Sequence, residues 1–189
     1  AVDALESEQI RRIVLVSEDR DATRALEIAA SITATGETNA VVDVVTPQEL
    51  DSLVLDNAAL LLWQTSLPDE NLSPVVESYV DSGGRVIFFP PTSLVNNAAI
   101  SSSNTFMGVH WSTWDVEQKV MVDSWRGDQD LLSATMSGTG LPVGQLQIDG
   151  HAMLSSEAVL SKLATMTGGA PLVAKLPTDR GGIYFFTAS

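Results

Sequence analysis

The chain has 189 residues, no cysteine, and 24 acidic against 10 basic side chains, for a formal net charge of −14. That length suits one domain able to bury roughly 70% of its unfolded surface without staples, and the lack of cysteine removes disulfides, thiolate metal sites, iron–sulfur clusters and a thiol nucleophile at once. The acidic balance argues against a nucleic-acid or anionic-membrane surface, and no apolar run approaches the roughly 18 to 20 residues that span a bilayer.

Arg11 to Val16 (RRIVLV) predicts a first strand, followed by the polar turn SEDRD. A helix is expected from about Asp21 to Thr35, with Ala22, Ala25, Leu26, Ala29, Ala30 and Thr33 as its inner stripe and Gly36 as its stop. Ala40 to Val45 (AVVDVV) predicts a second strand, and Thr46-Pro47-Gln48-Glu49 a capping box opening a short helix that ends near Val54. Ala58 to Trp63 (AALLLW) predicts a third strand.

The stretch Leu72 to Pro91 then holds a whole helix–strand unit. Ser73 suits an N-cap and Pro74 the first helical position, where a missing N–H costs nothing. Val75, Val76, Tyr79 and Val80 share one helix face, Gly83 or Gly84 ends the helix, and Val86 to Phe89 form an uninterrupted apolar strand stopped by Pro90-Pro91. Such a run fits a strand covered on both faces, and the alternation of strand and helix over this half implies right-handed βαβ units and a parallel sheet.

From Thr92 to Gly150 the alternation stops, and an ordered insertion is expected, with a helix around Trp114 to Val122. Beyond it, Val159 to Thr165, Leu172 to Leu176 and Ile183 to Thr187 predict three strands. The turns between them are too tight for anything but antiparallel pairing.

Two stretches carry a resemblance. AALLLWQTSLPDENLSPVVESYVDSGGRVIFFPP resembles the strand, loop, helix, Gly-Gly stop and core strand of class I glutamine-amidotransferase-like domains, and VLSKLATMTGGAPLVAKLPTDRGGIYFF is similar to their closing strands. Together they resemble the amidotransferase-like domain of membrane-anchored bacterial proteins of the Bat (aerotolerance) type, which also carry von Willebrand A-like regions. The resemblance covers about two thirds of the chain and implies an α/β, flavodoxin-like three-layer sandwich, with a mostly parallel central sheet and antiparallel C-terminal strands. It implies a single domain over residues 1–189, with an irregular insertion at about 92–150, expected to be a piece of a longer protein. The family's nucleophilic cysteine would follow Val86 to Phe89, where this chain has Pro90-Pro91-Thr92-Ser93, and its His and Glu would follow the last strand, where this chain has Thr187-Ala188-Ser189. The amidotransferase reaction is therefore not expected, and the implied role is assembly or binding of a protein partner or of the rest of its own chain, with no cofactor, no nucleic acid and no direct membrane contact by this segment.

Other chemistries rest on the residues themselves. A Ser/His hydrolase would use Ser93 with His110 or His151, although Ser93 lacks the flanking glycines of a nucleophile elbow. Phosphate binding at the first strand end is disfavoured, because Glu18, Asp19 and Asp21 stand where a glycine-rich cradle would be needed. Asp115, Glu117, Asp123, Asp128 and Asp130 could supply oxygen ligands to Ca²⁺, but without EF-hand spacing they fit a solvated surface better. Ser137 to Gly144 reads as a turn rather than a dinucleotide motif. Trp111 and Trp114, three apart, and Trp125 are candidate ligand or partner contacts, since aromatics join large apolar area to a polar handle. Stacked on a sugar ring, Trp111 and Trp114 would make a carbohydrate-binding module; the alternative is that they form the insertion's own core.

Overall fold

A computed structural model describes residues 11–32, 40–95, 104–115, 119–128, 130–133 and 140–188. Strands β1 (Arg11–Val16), β2 (Ala40–Val45), β3 (Ala58–Trp63) and β4 (Arg85–Phe88) lie where the apolar runs predict. Helix α1 (Arg24–Ser31) starts later than its periodicity suggests, because Asp19 and Thr23 form a turn of their own ahead of it. Gly36 and Thr33, expected at its end, lie outside the described residues.

The capping box forms, with the Glu49 carboxylate accepting from the Thr46 N–H at 2.8 Å and its hydroxyl at 3.0 Å. It closes only a single 3₁₀ turn, Pro47–Glu49, before the separate helix α2 (Ser52–Leu55), which Asp51 caps by accepting from the Val54 N–H. Helix α3 (Ser73–Asp81) takes its start from Asp69 instead of Ser73: the Asp69 carboxylate accepts from the backbone of Asn71 and Leu72 at 2.9 Å, and Ser73 is already helical. Its end is a Schellman motif, in which the Gly84 N–H reaches the Tyr79 carbonyl and the Gly83 N–H the Val80 carbonyl, with Gly83 at φ 103°.

The insertion supplies a short helix, α4 (Thr92–Val95), and strands β5 (Val109–Asp115), β6 (Val120–Trp125), β7 (Gln147–Ile148) and β8 (His151–Ser156). Of the stretch from Trp114 to Val122, where a helix is expected, the described residues lie in β5 and β6 instead, and residues 116–118 lie outside the described residues. Trp114, Val120 and Val122 belong to the aromatic and β-branched types that favour a pleated surface over a helix. Strands β9 (Ser161–Met166), β10 (Pro171–Leu176) and β11 (Gly182–Phe186) close the chain.

Nine strands make one sheet in the order β2-β1-β3-β4-β11-β10-β9-β6-β7, and β5 and β8 pair in a second. The expected flavodoxin-like three-layer sandwich with a mostly parallel sheet is thereby overturned. Ladders β1–β2, β1–β3, β3–β4 and β4–β11 are parallel, but β11–β10, β10–β9, β9–β6 and β6–β7 are antiparallel, and the helices are few and short. The protein is mainly β. The physical reason lies in the second half, whose tight turns allow hairpins but leave no room for the crossover helices that a parallel sheet needs.

One face of the sheet presents Val14, Val16, Leu61, Trp63, Val86, Phe88, Ile183 and Phe185 to Leu55 of α2, Val76 and Val80 of α3, and Phe106 and Trp111. On the other face Leu26 and Ala30 of α1 cover Ile13, Leu15 and Leu62. Val143 and Ile148 cover the antiparallel half, against Leu163, Leu172 and Tyr184.

Candidate functional site

In open sheets with parallel strands, ligands bind beyond the carboxyl ends of the strands, at the point where the chain switches direction along the sheet. Here that point lies between β1 and β3, because β2 flanks β1 on one side and β3 and β4 follow on the other. The loops that meet there begin at Ser17 and at Gln64.

The first loop consumes its own amides. The Ser17 hydroxyl accepts from the Asp19 N–H at 3.0 Å, and the Asp19 carboxylate accepts from the Ala22 N–H at 3.0 Å. These are the donors a phosphate would use. Across the switch point the Thr65 hydroxyl donates to the Glu18 carboxylate at 2.9 Å, and Thr65 itself is buried. The loops are thus clasped by a carboxylate, an arrangement that repels anions.

Further along the sheet the strand ends are sealed. Trp63, Phe88 and Phe185 sit side by side in register at the carboxyl ends of β3, β4 and β11. Phe88 stacks on Phe185 at 5.2 Å and meets Trp63 at 6.0 Å, while Phe106 lies 5.2 Å from Phe88 and Trp111 meets Phe185 edge-on at 5.8 Å. All five rings are at most 2% exposed. Backbone pairing completes the seal: the Ala152 N–H donates to the Thr187 carbonyl at 2.8 Å, His151 bridges Ala188, and the Thr187 hydroxyl donates to the Pro171 carbonyl at 2.8 Å. The segment that would carry an amidotransferase's histidine and glutamate is tied into β8 and β10 instead.

Ser93 is exposed on α4, while His110 is partly buried on β5 and His151 is 8% exposed on β8. Among the described residues no hydrogen bond joins Ser93 to either histidine, so no Ser/His pair is assembled. Trp111 and Trp114 occupy a strand, where a spacing of three would place them on opposite faces. A register shift between them brings both against the same core, as a β-bulge does. The Trp114 ring lies on Gly150, where an added Cβ would come within 2.8 Å of it, and Trp111 is 2% exposed with no partner for its indole N–H among the described residues. Trp125, 42% exposed, lies across Gly144 at the sheet's far edge. The three tryptophans therefore do not converge on one site, and two of them serve the main core rather than a core of the insertion.

The acidic residues of the insertion part company as well. Asp130, at φ 61°, joins the Lys175 ammonium at 2.6 Å and accepts from the Tyr184 hydroxyl at 2.6 Å. Burial works to raise its carboxyl, but Lys175 and Tyr184 outweigh this and hold it below the usual range. Burial, then the neighbouring carboxylate, push the Tyr184 phenol far up. Among the described residues no group of three His, Asp or Glu is placed to hold a metal ion; Glu117, Met136 and residues 137–139 lie outside them.

A groove of about 760 Å³ remains open beside the sealed ends, between the β3–α3 loop, with Asp69 and Glu70, and Asn104 to Met107. The Asn104 amide donates to the Leu67 carbonyl at 2.7 Å and holds this wall in place, while the Met107 side chain is 45% exposed. Nothing in the sequence marked the Glu18–Thr65 clasp or the Phe106 plug, because each joins residues far apart in the chain.

No protein-family model matches the chain, and no curated protein matches it in sequence. Solved structures similar to it in fold include a ThuA-like protein from Bacteroides uniformis ATCC 8492, at 12% identity and a TM-score of 0.58, over 95% of this chain and 81% of that one. They also include the exo-beta-1,4-mannosidase Op5Man5 from Opitutaceae bacterium strain TAV5, at 14% identity and a TM-score of 0.53, over 94% of this chain and 31% of the mannosidase. Alpha-L-fucosidase isoenzyme 2 from Paenibacillus thiaminolyticus matches at 11% identity and a TM-score of 0.53, over 94% of this chain and 29% of the fucosidase. This chain thus spans under a third of either glycosidase, and at such identities the likeness is one of fold alone.

Proposed function

We propose that this domain is non-catalytic and serves as an assembly or partner-binding module of a larger protein, meeting its partner at the groove between the β3–α3 loop and Met107. One observation carries the reading: Phe106 and Trp111 from the insertion fill the space over the ends of β4 and β11, where the amidotransferase-like domains that the sequence resembles would hold their reacting groups. A site plugged by buried rings has no room for a substrate, whereas the groove beside it keeps an exposed Met107 ringed by polar side chains, as at protein contact surfaces.

Two further observations support a module within a longer chain. Similar folds occur as parts of two much longer glycosidases. The sequence also resembles the amidotransferase-like domain of membrane-anchored Bat-type proteins, a likeness that rests on sequence pattern, since the similar solved structures named above are of other kinds. In that setting the anchor belongs to other parts of the chain: among the described residues no helix is long and apolar enough to cross a membrane.

The test is hydrogen exchange on the 189-residue domain alone and within its full reading frame, with the partner present where one co-purifies. Added protection of the amides at residues 69–73 and 104–107 in the longer context is expected. Identical exchange there in every context would remove the proposal, as would turnover of ester or glycoside substrates that is lost on Ser93→Ala.

A further inference from the structure

At the opposite end of the sheet, where β3 and β4 begin, a cleft of about 460 Å³ opens between α2 and α3. Its size is that of a small-molecule site. Tyr79 forms a fixed wall: its hydroxyl donates to the Ala58 carbonyl at 3.1 Å, and its ring lies against Gly84, where an added Cβ would strike it. Gly83 leaves the space open, since a Cβ there would meet no atom within 4 Å.

Ser52, Asp56, Asn57 and Ser78 also line this cleft, and their side chains have no hydrogen bond or ion pair to another described residue. Asn57 is held at φ 62°, a conformation asparagine tolerates better than most residues. Two hydroxyls and an amide both donate and accept, while the carboxylate only accepts. A ligand matching this set must itself donate and accept at several points and present an apolar face to the Tyr79 ring.

Hydroxyl groups on a saturated ring satisfy both demands. Anions fit less well, because among the described residues no Lys or Arg lines the cleft, Arg12, which reaches the Asp56 carbonyl at 3.0 Å, is already paired with Asp43, the Asp56 carboxylate repels them, and the carboxyl end of α3 points its negative pole at Ser82 and Gly83. A simple ammonium would leave the serine and asparagine donors without acceptors. We infer that this cleft binds a neutral polyhydroxylated ligand, a sugar or sugar-like polyol. It is a second site, at the far end of the sheet from the partner groove, and the two stand or fall separately.

Amide chemical-shift mapping on the labelled 189-residue chain tests this. The probes are glucose, mannose, galactose and fucose, with the amino and phosphate derivatives of glucose for contrast. Neutral sugars are expected to move the amides of Asn57, Ser78 and Gly83. Affinity should weaken about tenfold in Asn57→Gly, which keeps the backbone conformation but loses the amide, and vanish in Ser78→Trp, which fills the cleft from an exposed helix position. Absence of shifts with every neutral sugar would overturn the inference, as would shifts unchanged in Ser78→Trp or tighter binding of the amino or phosphate derivative.

Discussion

At the residue scale the tryptophans show how burial decides role. Trp111 and Trp114 stand out in the sequence as ligand contacts because of their rarity and spacing, yet a strand with a shifted register turns both toward the core. Trp111 brings a cost with it, a buried indole N–H without an acceptor among the described residues. Removing an unpaired buried donor while keeping the ring should be nearly free or favourable. Trp111→Phe is therefore expected to lie within about 1 kcal/mol of the wild type or above it in urea denaturation. Trp111→Ala, which opens a cavity beside Phe185, should cost about 3–5 kcal/mol. Equal losses in the two variants would mean that the N–H has a partner and that the packing account is wrong.

At the scale of elements, the helix–strand unit from α3 to β4 was legible almost in full, because its signals are local: Pro74 in the first turn, an apolar face, Gly83 at the stop and the apolar run Val86 to Phe89, most of which falls in β4. What the sequence could not show is that the β10–β11 turn docks on this stop. Gly181, at φ 58°, sits against the carbonyls of Gly84 and Val80, while Gly83 at φ 103° faces open space. Both substitutions to alanine strain the backbone, but only one also drives a Cβ into carbonyl oxygens. Gly83→Ala is expected to cost about 1 kcal/mol and Gly181→Ala at least about 2 kcal/mol, read from thermal or urea unfolding. Comparable values would show that the docking of this turn matters little. The inserted half was misread for a related reason: β5 pairs with β8, and β6 with β9, across some forty residues, so neither strand has its partner nearby to announce it.

At the scale of the whole molecule, two halves are held by different forces. The parallel half is packed chiefly through apolar side chains, with Arg12 paired to Asp43 across β1 and β2, whereas the insertion is tied to the sheet by Asp130, Lys175 and Tyr184. A carboxyl held below its ordinary value stabilises the fold above that value, and the contribution is lost as pH falls through the folded-state value. The raised Tyr184 phenol acts at the other end, stabilising below its ordinary range and losing that contribution as pH rises beyond it. Between about pH 7 and about pH 3 the wild type should lose more stability than Asp130→Asn, which has no proton to gain at that site. Parallel acid profiles in urea denaturation would show that the tie contributes nothing. By itself the sequence determined the parallel strands, the helices between them and the hairpin tail, because each follows from periodicity, capping or turn signals within a few neighbouring residues. Only the tertiary structure decided that the sheet is half antiparallel, that two candidate tryptophans are core, and that the strand ends are sealed by Phe106 and Trp111. Those outcomes depend on which distant segments bury one another, and the free energy of that burial is set by a contact surface that no local stretch contains.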